Sequence, residues 1–350
     1  MTSENMPVEL IEPEELRSSA ARLLADKVDR RAPWSEEETA KSPDDLYGEM
    51  ANLGWFMLTV PAENGGLGQN FAALAPIYEE MGRALSPLQI SQTMAAIDIL
   101  VADGGTDATA LLDRIAEGSA RVIVLEGDLP MQTVPEACKA TTALLLPSDA
   151  HAQVLIIDMA QPGVTVENAL TWDRSRRYGD VHLTGVASVA LSLTVEEASR
   201  VVRGHADLAI AWDSVGGGRQ ALDEAVEYMG TRQQFGRPIG SFQALKHRAA
   251  DLKVKLEIAR ALTEHATTAF SARRDDWSTL AGQARLLAVD AFRAIAEESV
   301  QFHGGIGFTW EHDAHIFLKR ALMNEMIGGP PEKIRDRVAS SIMSRALARQ

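Results

Sequence analysis

Tyr228-Met-Gly-Thr-Arg232-Gln-Gln-Phe235-Gly236-Arg-Pro238-Ile-Gly240-Ser-Phe-Gln243 separates two long stretches of helical period. Gly236, Pro238 and Gly240 end the first of them, because proline lacks the N–H a helix interior needs and glycine tolerates positive φ. Arg232 and Phe235 are then left at a helix end as a fixed charge and a flat ring. A planar, multi-donor guanidinium suits a phosphate, and a ring suits a stacked base. In isolation the stretch reads equally well as a surface turn with one solvated arginine.

Working outward, the period of three and four continues on both sides. Residues 197–230 carry Leu208, Ala211, Val215, Leu222 and Val226, with Gly216-Gly217-Gly218 inside. That triplet weakens a helix and is best explained by close approach of another backbone. Residues 243–271 (Leu245, Ala249, Leu252, Leu256, Ala259, Ala266) and 278–302 (Leu280, Ala284, Leu287, Ala291, Ile295) show the pattern of bundle helices. A last helix begins near Glu332, after Pro330-Pro331, with Ile334, Val338 and Ile342.

Toward the N-terminus the character changes twice. Val122–Leu125, Ala143–Leu146, Val154–Asp158, Val164–Val166 and Val181–Gly185 are short apolar or alternating runs split by Gly, Pro and Asp, which predicts a small β domain. Before them, helices are expected over 8–31, from Ser42-Pro43-Asp44-Asp45 onward, over 70–85 and over 91–103. Val60–Gly68 is too glycine-rich for regular structure. The expected architecture is mostly α with a small β domain: helical residues 1–118, β residues 119–195, and a four-helix bundle over 196–350.

Composition narrows the function. The chain has 350 residues and a net charge of −15, so nucleic acid and anionic membranes are poor partners. No apolar run approaches the roughly 20 residues of a membrane span. The N-terminus does not resemble a signal peptide, and the cytoplasm is the expected location. A single cysteine, Cys138, excludes an intramolecular disulfide and a multi-cysteine zinc site. His312 and His315, with Glu311 and Asp313, lack a third-ligand pattern, so no metal is expected. His247 reads as a core-edge or interface residue.

Four blocks together resemble the acyl-CoA dehydrogenase family along nearly the whole chain. Tyr228, Arg232, Gln234-Phe235-Gly236, Pro238 and Phe242-Gln243 match its C-terminal pattern in order and spacing, and Gln301-Phe-His-Gly304-Gly305-Ile-Gly307 matches a second signature. Leu53-Gly54-Trp55, Val60-Pro61, Gly65-Gly66-Leu-Gly68 and Glu79-Glu-Met-Gly82-Arg83 are similar to its N-terminal domain. The resemblance implies a helical domain, a middle β-barrel and a C-terminal four-helix bundle. It also implies FAD as cofactor and an acyl-CoA thioester dehydrogenated at its α and β carbons. It places Arg232 at the FAD pyrophosphate, and Phe235 and Gln243 at other moieties of a neighbouring subunit's FAD. Gln301, Gly304 and Gly305 fall beside the adenosine and pyrophosphate. His303, inside that signature, is expected to shape the backbone or adjoin the adenine.

The chain departs from the pattern where chemistry is expected. The usual glutamate base, nine positions past Arg320, is replaced by Gly329, and the alternative position on the first bundle helix is Ala206. The flavin-cradling run of the β domain reads Val124-Leu-Glu126-Gly127-Asp128-Leu-Pro130, in which only Glu126 and the glycine survive. Replacement bases would be Asp207 first, then Asp213, Glu325 or Glu332. Two assemblies follow: the non-catalytic partner of a heteromeric dehydrogenase, or a homo-oligomer with Asp207 as displaced base. A flavin-free scaffold is the third reading.

Overall fold

The computed structural model describes residues 10–34 and 43–347. The expected Ser42 cap therefore lies outside the described residues. The N-terminal helices are α1 (Pro13–Lys27), α2 (Pro43–Asn52), α3 (Ala75–Arg83), α4 (Ser91–Asp103) and α5 (Thr106–Ala116). The expected helix over 70–85 is shorter and opens as a 3-10 turn at Phe71–Leu74, where Asn70 Oδ1 accepts from the Ala72 N–H. α5 has no counterpart in the sequence reading, although Ala108, Leu111, Leu112 and Ile115 give it a buried face of helical period.

Seven strands follow: β1 (Val122–Glu126), β2 (Met131–Pro135), β3 (Thr142–Leu146), β4 (Gln153–Asp158), β5 (Val164–Ala169), β6 (Tyr178–Leu183) and β7 (Val189–Thr194). They form two sheets, ordered β1-β3-β4-β7 and β2-β6-β5. The β1–β3 pair is parallel and the other pairs are antiparallel. Alternation along β1 explains how the layers stack. Ile123 and Leu125 join Val134, Ala143, Ile157 and Val181 in a core between the sheets, while Val122 and Val124 join the main helical core. α4 anchors this layer, since Thr93 Oγ1 donates to the Val122 carbonyl at 3.1 Å.

The C-terminal helices are α6 (Val195–Thr231), α7 (Gln243–Ser271), α8 (Trp277–His303), α9 (Ala314–Met326) and α10 (Pro331–Leu347). The sequence reading lacked α9, so the described residues of this region hold five helices. Between α6 and α7 lies a minimal hairpin, β8 (Gln233–Gln234) and β9 (Arg237–Pro238). The N-terminal helices share one continuous hydrophobic core with the bundle. The glycine triplet of α6 makes that contact possible. A Cβ on Gly216 would stand 1.9 Å from the Glu79 carbonyl oxygen, and one on Gly82 would stand 2.1 Å from the Asp213 carbonyl oxygen. The α3 and α6 backbones therefore touch through reciprocal glycines. Gly216→Val is expected to cost about 3 kcal/mol of stability by overpacking. Gly230→Ala, on the same helix with nothing within 4 Å of its Cβ, should stabilise by about 0.5–1 kcal/mol. Urea unfolding of the two variants checks the pair.

Candidate functional site

The end of the bundle gathers the residues of the opening stretch. α6 stops at Thr231, and Arg232 caps it, its N–H donating to the Tyr228 carbonyl at 2.8 Å. Phe235 (φ 54°) and Gly236 (φ 77°) both take left-handed backbone, as the two-residue turn between β8 and β9 requires. Left-handed conformation is costly for a bulky side chain, yet the Phe235 ring is 91% exposed. Its neighbours are engaged: Phe242 meets it edge-on at 6.2 Å, and the Arg237 guanidinium lies over Phe242 at 4.2 Å. The exposed Arg232 guanidinium has no ion pair or hydrogen bond among the described residues.

The second stretch is brought beside the first. Tyr228 stacks on His303 at 4.3 Å, and His303 on His312 at 3.7 Å, which ties the ends of α6 and α8 together. His303 is buried and its Nδ1 lies 2.6 Å from the Ser299 carbonyl. Burial lowers the pKa of its imidazole. Gln301 is exposed on the last turn of α8. Gly304 follows with φ 64° and ψ −142°, a conformation open to glycine. A Cβ on Gly304 or Gly305 would meet nothing within 4 Å, so both present bare backbone to an open surface. Gln243, the first residue of α7, is exposed too. His247 is exposed on α7.

Elsewhere, a cavity of about 500 Å³ opens between α4, β2, α6 and α9. Its wall is mainly apolar, with Val202, Ala206 and Ile210 from α6, Met323 and Met326 from α9, and Gly328 behind them. Glu126 is the one carboxylate among its described lining residues. Glu126 also borders a second cleft of about 510 Å³, where Arg200, Arg203 and Arg337 stand with Ser148 and Ser278. A pocket of this size with convergent polar groups at one end is the usual form of a small-molecule site.

Comparison with known proteins gives the family. Residues 12–119 match the model of the acyl-CoA dehydrogenase N-terminal domain, and residues 204–343 that of the C-terminal domain. The chain is 32% identical over 338 residues to acyl-CoA dehydrogenase IpdE2 of Mycobacterium tuberculosis, covering 94% of this chain and 98% of that protein. It belongs to the acyl-CoA dehydrogenase family. Its fold is shared by the Tcur3481-Tcur3483 steroid ACAD, with a TM-score of 0.83 and 24% identity over 96% of this chain and 98% of that one. It is shared also by the ChsE4-ChsE5 complex from Mycobacterium tuberculosis, with a TM-score of 0.81 and 20% identity over 97% and 99% of the two chains.

For an acyl-CoA dehydrogenase, the question is which side chain could take a proton inside the cavity. Ala206 lines it, and so does Gly328, next to Gly329. The two positions at which the sequence looked for a base thus carry no titratable group. Asp207, expected as the first replacement base, has other surroundings. Asp207 is buried outside the cavity wall, between Arg285 Nη1 at 3.1 Å and Arg337 Nη2 at 2.6 Å. One residue step along α6, a rotation of about 100°, puts Ala206 on the cavity and Asp207 in the α8–α10 seam. Asp207→Asn is expected to cost about 2 kcal/mol of stability, because it leaves the buried Arg285 short of a counter-charge. It should not abolish turnover of the assembled enzyme, and urea unfolding beside an activity assay separates the two effects.

The other candidates are engaged as well. Asp213 is buried against Arg176 Nη2 (2.7 Å), Arg320 Nη1 (3.2 Å) and Asn324 Nδ2 (2.7 Å). Burial opposes its charge, but the two guanidinium groups outweigh that and hold its carboxyl below the usual range. Glu325 pairs with Arg293 at 3.0 Å on the outer face, and Glu332 is exposed beside Arg335. Among the described residues, no group of three His, Cys, Asp or Glu side chains converges as a metal site would require. No helix of the described residues is long and apolar enough to cross a membrane.

Proposed function

We propose that this chain is the non-catalytic partner in a heteromeric acyl-CoA dehydrogenase, lending its bundle end to FAD held by the neighbouring subunit. The family's cofactor is FAD, which when bound accepts the hydride removed from the β carbon of the acyl group. The residues at the bundle end fit such a dinucleotide. Arg232 offers an unpaired, planar set of donors suited to a pyrophosphate. Phe235 offers an exposed ring, and Gly304 and Gly305 let the ligand approach bare backbone. Gln243 and Gln301 add exposed amides on the flanking helices.

The single observation that carries the reading is the split between the two sites. Arg232, Phe235, Gln243, Gln301, Gly304 and Gly305 are all present and exposed at the bundle end, whereas the chain's own cavity has Ala206 and Gly328 in its wall, beside the glycine at the usual position of the base. Random decay would erode both sets. A homo-oligomer working alone would need a proton acceptor; Asp207, Asp213, Glu325 and Glu332 are each paired with arginine, and Glu126, the one carboxylate among the described lining residues, stands at neither position of the family's base. One protein that shares the fold, ChsE4-ChsE5, is itself a complex. The substrate class on this reading is an acyl-CoA thioester, and the partner is a second family subunit that retains the glutamate.

Expression decides between the assemblies. The chain made alone should be colourless and inactive, and should acquire flavin absorbance and activity when co-expressed with a glutamate-bearing subunit of the family. A yellow homo-oligomer that oxidises an acyl-CoA would overturn the proposal.

A further inference from the structure

The large cavity adjoins a small chamber of about 20 Å³, with Gln89, Ser91 and Ile210 common to both walls. That volume holds a single water-sized group. Three of its lining residues carry a buried side-chain atom with no hydrogen-bond partner among the described residues: Tyr78 Oη, Gln89 Oε1 and Arg176 Nε. Tyr78 and Arg176 are held in place by their surroundings. Tyr78 is buried on α3, with Phe71 6.3 Å from its ring. Arg176 is buried and held by Asn324 Oδ1 and Asp213 Oδ1, both at 2.7 Å, which occupies its terminal nitrogens and leaves Nε. A buried polar group without a partner costs about 1–3 kcal/mol, so three around one small space mark a place built for a polar atom.

The hydrogen-bond inventory says which one. Among the unpartnered atoms Tyr78 and Arg176 present donors and Gln89 an acceptor, while Asp213, the carboxylate in the chamber wall, already accepts from Arg176, Arg320 and Asn324. Burial, followed by the nearby Asp98 charge, pushes the Tyr78 phenol well above its ordinary range, so it stays a donor at any physiological pH. A ketone or ether oxygen would leave the glutamine carbonyl unserved, and a methyl group would serve none of the three. An alcohol oxygen accepts two hydrogen bonds and donates one. We propose that this chamber reads a hydroxyl group carried by the acyl chain of a ligand lodged in the large cavity, with Tyr78, Gln89 and Arg176 as specificity-determining residues. The inference concerns the chain's own cavity, so it goes beyond the heteromer reading and stands whether or not a partner supplies the base.

Calorimetric titration of the full-length chain with hexanoyl-CoA, 3-hydroxyhexanoyl-CoA, 6-hydroxyhexanoyl-CoA and free CoA tests it. At least one hydroxylated thioester should bind about tenfold tighter than hexanoyl-CoA. Tyr78→Phe, which removes one oxygen and keeps the ring, should abolish that gain and leave the affinity for hexanoyl-CoA unchanged. Gln89→Leu should act in the same direction. The proposal is overturned if neither hydroxylated thioester outbinds hexanoyl-CoA, as a chamber filled by one water would give. It is overturned also if no thioester binds more tightly than free CoA, or if the gain survives in Tyr78→Phe. Flavin content of the co-expressed complex is a separate readout that Tyr78→Phe should not move, so failure here and failure of the heteromer reading are told apart.

Discussion

Arg320→Met is expected to destabilise the protein by about 3–5 kcal/mol, the usual cost of stripping one partner from a buried ion pair. Arg320 is fully buried. Its Nε donates to Asp173 Oδ2 at 3.0 Å, and its Nη1 to Asp213 Oδ1 at 3.2 Å. Its Nη2 donates to the Ser86 carbonyl at 2.8 Å and to Ser175 Oγ at 2.6 Å. One side chain thus ties α9 to α6, to the loop before β6 and to the segment after α3. Methionine fills similar volume but leaves the fully buried Asp173 without its guanidinium. Asp213 keeps Arg176, so the main loss falls on Asp173. Asp173→Asn in the Arg320→Met background should therefore recover part of the stability. Urea unfolding measures both, and a loss below about 1 kcal/mol would show that the cluster is more solvated than its burial implies.

The second large effect is functional. In the assembled complex, Arg232→Ala should weaken FAD retention about ten- to a hundredfold, the loss expected for a charge-assisted, multi-donor contact to phosphate. The fold should not change, because the Arg232 side chain has no partner within the described chain and its backbone keeps the helix cap. Arg237→Ala is the control. That guanidinium already lies over Phe242, so the same charge is removed at the same hairpin with little effect on flavin expected. Equal retention in wild type and Arg232→Ala, read as flavin absorbance after gel filtration, would refute the assignment.

What the sequence made legible and what it hid have physical causes. The long helices α6, α7 and α8 could be read because their apolar residues repeat in steps of three and four over many turns. The glycine triplet announced a backbone contact, and Gly216 against Glu79 supplies it. α9 escaped because its buried face is made partly of Arg320 and Asn324, which break the apolar period. β2 escaped for the opposite reason: of its five residues only Val134 is buried, and Pro135 argues against a strand. Asp207 looked like a base because one position of sequence separates it from Ala206, yet on a helix one position is a turn of about 100° and a different neighbourhood. The chamber of Tyr78, Gln89 and Arg176 had no signal at all, since these residues are ordinary in type and meet only in the fold.

If the chain serves a neighbour's FAD and holds none in its own cavity, the stoichiometry of the complex must be uneven. The direct measurement is the ratio of FAD to polypeptide in the purified complex with a glutamate-bearing partner, taken from flavin absorbance and quantitative amino-acid analysis. One FAD for each pair of unlike chains is the predicted result. One FAD on every chain, this one included, would contradict it.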